Sequence, residues 1–246
     1  MSTIAERLEH VRQQIAAAER ASGRPQGSVK LIAVSKFHPA SAIREAYAAG
    51  QRDFGENYVQ ELVSKAAELR DLAELRFHLI GHLQSNKARQ VVGDVSWVHT
   101  LDGASTAREL NKRAQGIAKI ISVLIQVNVA NEAQKSGCQE EELPGLIQAI
   151  QACSHLRYRG LMVIPPLADD PETSRPYFAR LRAMLPGLPP VQPDVESTEA
   201  PNSRELGELS MGMSHDLEVA IAEGATMVRV GTAIFGERPL TKHEGA

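Results

Sequence analysis

The stretch VKLIAVSKFHPASAIREAYAAGQRDFGE, residues 29–56, decides how the chain is read. It opens with β-branched and small apolar residues that suit a buried strand over residues 30–35. PASAIREAYAAG then reads as a helix, with Pro39 near its start and Gly50 just past its end. RDFGE returns as a short strand. A strand, a helix and a second strand in such a short space form a βαβ unit with parallel strands.

Outward from that unit the alternation repeats. NYVQELVSKAAEL reads as a helix and RFHLIG as a strand, then QSNKARQVV and SWVHTL, then GASTARELNKRAQ and ISVLIQVNVA. EEELPGLIQAIQAC and RYRGLMVI follow, then SRPYFARLRAML and GELSMGM, then SHDLEVAIAEG and TMVRVGTAIFG. Eight strands, each followed by a helix or helical turn, predict a single (β/α)₈ barrel domain across residues 1–246. The rival is a doubly wound open sheet, and the count of eight argues against it. STIAERLEHVRQQIAAAER precedes the first strand as an amphipathic helix. Ile4, Leu8, Val11 and Ile15 lie on one stripe, and Ser2 or Thr3 serves as cap. Residues 186–205, rich in proline and polar residues, predict a mobile exposed loop.

Bulk properties exclude several function classes. The chain has 246 residues, 43% hydrophobic and 23% charged, with a formal net charge of -3. That balance gives no reason to expect nucleic acid or an anionic membrane as partner. It has no run of about 18 apolar residues that would predict a membrane span. The N-terminus has no apolar core of a secretory signal. The two cysteines, Cys138 and Cys153, form no CxxC motif and suit reduced thiols in a cytoplasm.

The first strand ends in Lys36. In a parallel barrel this is the C-terminal rim, where active sites lie. A lysine partly withdrawn from water there has a lowered pKa, and a neutral amine attacks carbonyls to form a Schiff base. The bland reading is a rim lysine with its ammonium group in solvent. The other end of the chain favours the first reading. The loops after strands seven and eight commonly bind phosphate in such barrels. Ser214 stands at a helix start, Gly212 permits close backbone approach, and Gly231 and Thr232 offer N–H groups and a hydroxyl. Strands eight and one are neighbours in a closed barrel, so an aldehyde whose phosphate sits there reaches Lys36. Arg229 lies in an otherwise apolar strand and needs a partner. The candidates are a pyridine nitrogen or a buried carboxylate such as Glu56.

Seven motifs, in order and at sensible spacing, resemble one family: AVSKFHP, FGENYVQE, HLIGHLQSNK, VNVANEAQKSG, GLMVIPP, LSMGMSHDLEVAI and VRVGTAIFGER. They resemble the pyridoxal 5'-phosphate homeostasis proteins, the YggS/PROSC group of the alanine racemase N-terminal-like barrels. The resemblance implies a barrel carrying pyridoxal 5'-phosphate, with Lys36 as its Schiff-base lysine. It implies a phosphate site of Ser214, Gly231 and Thr232, and places Arg229 against the pyridine nitrogen. It implies rim positions for Asn57, His82, Asn86 and Met162, and a basic position near the phenolic oxygen for Lys135. An arginine there leaves the ring nitrogen unprotonated and the cofactor a weaker electron sink. The proline-rich segment departs from the family pattern, and it either covers the cofactor or reaches a partner.

Alanine racemases need a second domain bearing a tyrosine acid/base, and this sequence offers no length for one. The expectation is therefore a monomeric cytoplasmic carrier that holds, buffers and delivers the cofactor to apo-enzymes, without fast turnover. The alternative is a pyridoxal-phosphate enzyme acting on amino acids, racemase- or lyase-like, with Lys36 as sole base. A cofactor-free Schiff-base aldolase and a pure interaction module are more distant rivals. His78 and His82 have a metal-like spacing, but a strand and turn separate their faces, so structural roles are expected and no metal. Ser214, His215 and Asp216 are adjacent and cannot converge as a catalytic triad. Ser105 or Thr106 is expected to cap the helix after strand four.

Overall fold

The computed structural model describes residues 2–130, 136–192 and 207–237. Eight strands close into a parallel barrel in sequence order: β1 (Lys30–Val34), β2 (Asp53–Glu56), β3 (Arg76–Leu79), β4 (Val95–Leu101), β5 (Ile121–Gln126), β6 (Leu156–Met162), β7 (Glu208–Met213) and β8 (Met227–Val230). β1 pairs with β8 and closes the ring, with Ala33 beside Val230. The predicted (β/α)₈ barrel is the observed fold. Among the described residues no helix is long and apolar enough to cross a membrane.

The N-terminal helix α1 (Ile4–Ala21) is capped by Thr3 in a reciprocal capping box with Glu6. The outer layer is α2 (Ala40–Ala48), α3 (Val59–Glu68), α4 (Ala88–Val91), α5 (Ala104–Gln115), α6 (Leu143–Gln151), α7 (Arg175–Met184), α8 (Leu217–Ala222) and α9 (Thr232–Phe235). Gly103, not Ser105 or Thr106, holds the cap position of α5, so those two residues lie inside the helix. The Ile4, Leu8, Val11 and Ile15 stripe is buried. The same helix reaches the last turn of the barrel, where Arg7 Nε donates to the Ile234 carbonyl at 2.6 Å.

Strand alternation separates two cores. Leu31 and Ala33 face the helices and join the large apolar shell there. Ile32, Trp97, Leu124, Met162 and Met227 form a separate buried layer that fills the barrel interior. Gly160 in β6 has φ +137, and a Cβ there would fall 2.1 Å from the Glu208 carbonyl oxygen. Only glycine permits that approach, and β6 shifts register against β5 at this level.

Two expectations are corrected in extent. β5 ends at Gln126 instead of continuing to Ala130. Beyond it the chain bonds to its own return segment, with Cys138 N donating to Gln126 O and Asn128 N to Cys138 O. The proline-rich segment begins in an ordered way. Gln192 N donates to Tyr158 O at 3.0 Å, and Gln192 Oε1 accepts from Tyr158 N at 2.9 Å. A loop from a helix to the following strand lies at the N-terminal end of a barrel, opposite the catalytic rim. Its described ends, Gln192 and Gly207, both meet β6 there. It therefore starts and finishes on the face away from Lys36. Residues 193–206 lie outside the described region.

Candidate functional site

Lys36 stands two residues past the end of β1, on the C-terminal rim, and is half-buried. Its neighbours are tightly held. Ser35 N donates to Gly55 O at 3.0 Å, tying the rim to β2. Phe37 adopts φ 66, a left-handed conformation unusual for a bulky residue. Its amide donates to Glu61 Oε1 at 2.6 Å. Behind this turn Lys65 is buried at 5% exposure. Its ammonium donates to Ser35 O, Glu56 Oε1 and Glu61 Oε1, each at 2.7 Å. Glu56 also accepts from the Ser35 hydroxyl at 2.7 Å. Burial raises the pKa of Glu56, while Lys65 and Ser35 pull it the other way. Its Oε2 is buried without a hydrogen-bond partner. This cluster fixes the backbone on both sides of Lys36.

Across the barrel seam, Gly231 packs against the end of β1. A Cβ on Gly231 would lie 3.2 Å from Val34 O. Lys36 and the Gly231–Thr232 turn are thus on adjoining strand ends. Ser214 lies in the turn after β7, and Ser214 and Thr232 are both exposed. Asp216 shapes that turn, its Oδ1 accepting from Met213 N at 2.7 Å. The same Asp216 contact removes it from any triad with Ser214. Gly212 has φ +91, and a Cβ there would meet the Ala220 Cβ at 2.5 Å, so α8 lies close against β7.

Arg229 is buried at 4% exposure and points into the barrel from β8. Its Nη1 donates to Ser210 Oγ at 2.8 Å and its Nη2 to Val163 O at 3.0 Å. Glu56 is not its partner, because Glu56 is engaged by Lys65 and Ser35. Among the described residues no carboxylate forms an ion pair with Arg229. Burial lowers its pKa to about 10, which still leaves it a cation at neutral pH. A buried cation with no carboxylate ion pair among the described residues, on the strand next to that of the rim lysine, is the unusual element of this site.

The remaining predicted residues divide. Asn57 follows β2 and its Oδ1 is buried with no partner. It lines a cavity of about 360 Å³ with His82, Thr100, Gln126, Val163 and Tyr177. His82 is exposed, and its Nδ1 lies 3.4 Å from Asp102 Oδ2. Gly81 fits against Asn57 so closely that a Cβ would fall 2.0 Å from Asn57 O. Asn86 is exposed in the turn after β3. Met162 closes β6 at its C-terminal end, its side chain wholly buried in the inner layer, one residue before the carbonyl that receives Arg229. Lys135 lies outside the described residues. Among the described residues no cluster of His, Cys, Asp or Glu could hold a metal ion. His78 and His82 do not converge, since His78 is buried and bonded to Asp53 and His99.

Sequence reasoning did not anticipate the supporting groups Lys65, Glu61 and Ser210. Nor did it anticipate the tie between His78 and His99. A usable signal was present. RFHL, WVHT, ELSM and MVRV each carry a polar side chain at an inward position of an apolar strand.

Comparison with known proteins gives the relationships. The family described as alanine racemase, N-terminal domain, matches residues 7–239. The pyridoxal phosphate homeostasis protein of Pseudomonas aeruginosa is 47% identical over 97% of this chain and 97% of its own. That of Escherichia coli strain K12 is 45% identical over 98% of this chain and 100% of its own. The structure of PipY from Synechococcus elongatus without PLP superposes with a TM-score of 0.80 at 43% identity, covering 95% of this chain and 100% of PipY. A second PipY structure, with PLP bound, gives 0.78 at the same identity and coverage. Full-length likeness of this kind, on a barrel with its lysine and arginine on adjoining strands, places the chain in the pyridoxal phosphate homeostasis protein family, within the alanine racemase N-terminal-domain group.

Proposed function

We propose that this protein binds pyridoxal 5'-phosphate and holds it covalently through Lys36, buffering or delivering it instead of turning over a substrate. The observation that carries the reading is Arg229, a buried cation with no carboxylate partner among the described residues, placed one strand from Lys36. Relatives named as homeostasis proteins, and PipY with PLP bound, support it.

The residues fit the cofactor. Lys36 would supply the amine for its aldehyde carbon. Ser214, Gly231 and Thr232 would receive the phosphate with hydroxyls and backbone N–H groups. Arg229 would donate to the ring nitrogen. Asn57, with its unsatisfied buried Oδ1, and His82 would stand along the ring's edge, and Lys135 is proposed near the phenolic oxygen. When bound, the cofactor supplies an electrophilic aldehyde conjugated to an electron-withdrawing ring. A guanidinium can only donate, so the ring nitrogen it meets keeps its lone pair unprotonated. That weakens carbanion stabilisation and favours storage over catalysis. The two buried, unpaired cysteines accord with a reducing cytoplasm. We further propose a monomer that passes cofactor to apo-enzymes.

The test is a visible spectrum of the purified protein given pyridoxal phosphate. A band that borohydride bleaches, with the adduct mapped to Lys36 and lost in Lys36→Ala, is expected. An adduct confined to other lysines overturns the reading.

A further inference from the structure

A row of polar side chains crosses the barrel interior. Arg229 Nη1 meets Ser210 Oγ at 2.8 Å, and Ser210 Oγ meets His99 Nδ1 at 2.9 Å. His99 Nε2 meets His78 Nδ1 at 2.9 Å, and His78 Nε2 meets Asp53 Oδ1 at 2.9 Å. All five residues are buried. At the far end Asp53 receives Arg76 through two bonds, at 2.9 and 2.8 Å.

The carboxylate end, with both rings neutral, sets the direction of the bonds back to Ser210. A guanidinium only donates and an ionised carboxylate only accepts. Ser210 Oγ takes an N–H from Arg229 on one lone pair and keeps its own proton to give to His99 Nδ1. His99 then carries its proton on Nε2 and donates to His78 Nδ1. His78 in turn carries its proton on Nε2 and donates to Asp53. Both rings are neutral in this arrangement, each accepting at Nδ1 and donating from Nε2. Burial pushes both histidine pKa values down, in agreement. The charged groups acting on the two rings are Lys30 from β1, Asp53 from β2, Arg76 from β3 and Arg229 from β8. Arg159 from β6 stands over Trp97, which itself stacks on His78.

We propose that Ser210, His99 and His78 are positioning residues. They form a one-way hydrogen-bond chain that ties Arg229 to the distant Asp53 carboxylate and so aims the guanidinium at the ring nitrogen. The proposal rests on the cofactor reading of Arg229. A carboxylate bound directly to Arg229 would take two parallel N–H groups of the fork. The chain takes one for Ser210, the Val163 carbonyl takes another, and the rest stay available to a ligand. The Asp53 carboxylate acts on Arg229 through these polarised bonds across the barrel.

The test has two arms. Nitrogen NMR of the histidine-labelled full chain, without added cofactor, is expected to show His78 and His99 neutral. Both should be protonated on Nε2 from about pH 6 to about pH 8. Either ring protonated on Nδ1, or cationic at about pH 7, overturns the chain. The second arm follows release of pyridoxal phosphate by its visible band. Ser210→Ala is expected to release it about tenfold to a hundredfold faster, as for loss of a hydrogen bond to a charged group. Ser210→Thr, which keeps the hydroxyl, is expected to stay near the parent. Equal rates in all three overturn the positioning role. If the parent itself retains no cofactor, the proposed function fails, and the tautomers alone decide whether the chain exists.

Discussion

Removing the Lys65 ammonium is the sharpest probe of the rim. In Lys65→Met the carboxylate of Glu56, 0% exposed and with Oε2 already partnerless, loses its cation. Leaving one member of a buried pair uncompensated costs about 3–5 kcal/mol. The carboxyl has an escape, which is to take up a proton. Its pKa in the folded protein is already raised by burial above the ordinary 4.5, and loss of Lys65 raises it further. Between the unfolded and folded pKa values the folded variant binds more protons than the unfolded chain, so its stability rises as pH falls. Each unit of pH across that window returns up to about 1.4 kcal/mol. Urea unfolding followed by the single tryptophan, Trp97 inside the barrel, measures this. The expected loss at about pH 8 is ~3–5 kcal/mol, a fall in Tm of roughly 6–20 °C. At about pH 5.5 the loss is smaller by at least ~1 kcal/mol. The double variant Glu56→Gln/Lys65→Met should be more stable at about pH 8 than Lys65→Met. A loss under ~1 kcal/mol at the higher pH, or the same loss at both, refutes the reasoning.

Three further outcomes are expected. Gly160→Ala places a methyl 2.1 Å from Glu208 O at φ +137, so it should lose ~3 kcal/mol or more in urea unfolding, or fail to fold. His78 and His99, buried with lowered pKa values, remain neutral when the unfolded chain protonates. Stability should therefore fall as pH drops below about 6.5, with the two histidines adding a slope of up to about 2.7 kcal/mol per pH unit. Replacing either by Phe should lessen its share of that slope. Cys138, whose thiol burial pushes to about 12, and the buried Cys153 should react with a thiol reagent at about pH 8 only as fast as the protein unfolds. Rapid labelling of the native state would contradict that.

The barrel was legible because its signals are local. Each strand and helix declares itself within a few residues, through apolar runs and through punctuation such as Pro39 and Gly50. Thr3 as the cap of α1 was equally local. The rim positions of Lys36, Gly231 and Thr232 followed from strand order alone. What stayed hidden depends on partners distant in the chain. Ser210 and His99 are 111 residues apart, and Lys65 and Ser35 are 30 apart. No window of sequence shows such pairs. The choice offered for Arg229 included Glu56, because a free buried carboxylate and one already engaged by Lys65 look alike in a sequence. Met162 was placed by resemblance; it ends β6 on the C-terminal side, and its burial in the inner layer depends on strand alternation and closure. The described ends of the proline-rich segment could have been assigned to the far face from topology, since helix-to-strand loops begin and end there.

The Lys65 cluster also bears on chemical selectivity. An aldehyde entering the rim has two lysines close by in the fold. An ammonium has three protons, and Lys65 commits one each to Ser35 O, Glu56 Oε1 and Glu61 Oε1. With its three N–H directions occupied, it presents none to an incoming carbonyl. The same bonds that steady the backbone beside Lys36 therefore also withhold Lys65 from an incoming aldehyde. On the proposed attachment at Lys36, the fold favours one amine by disarming the other.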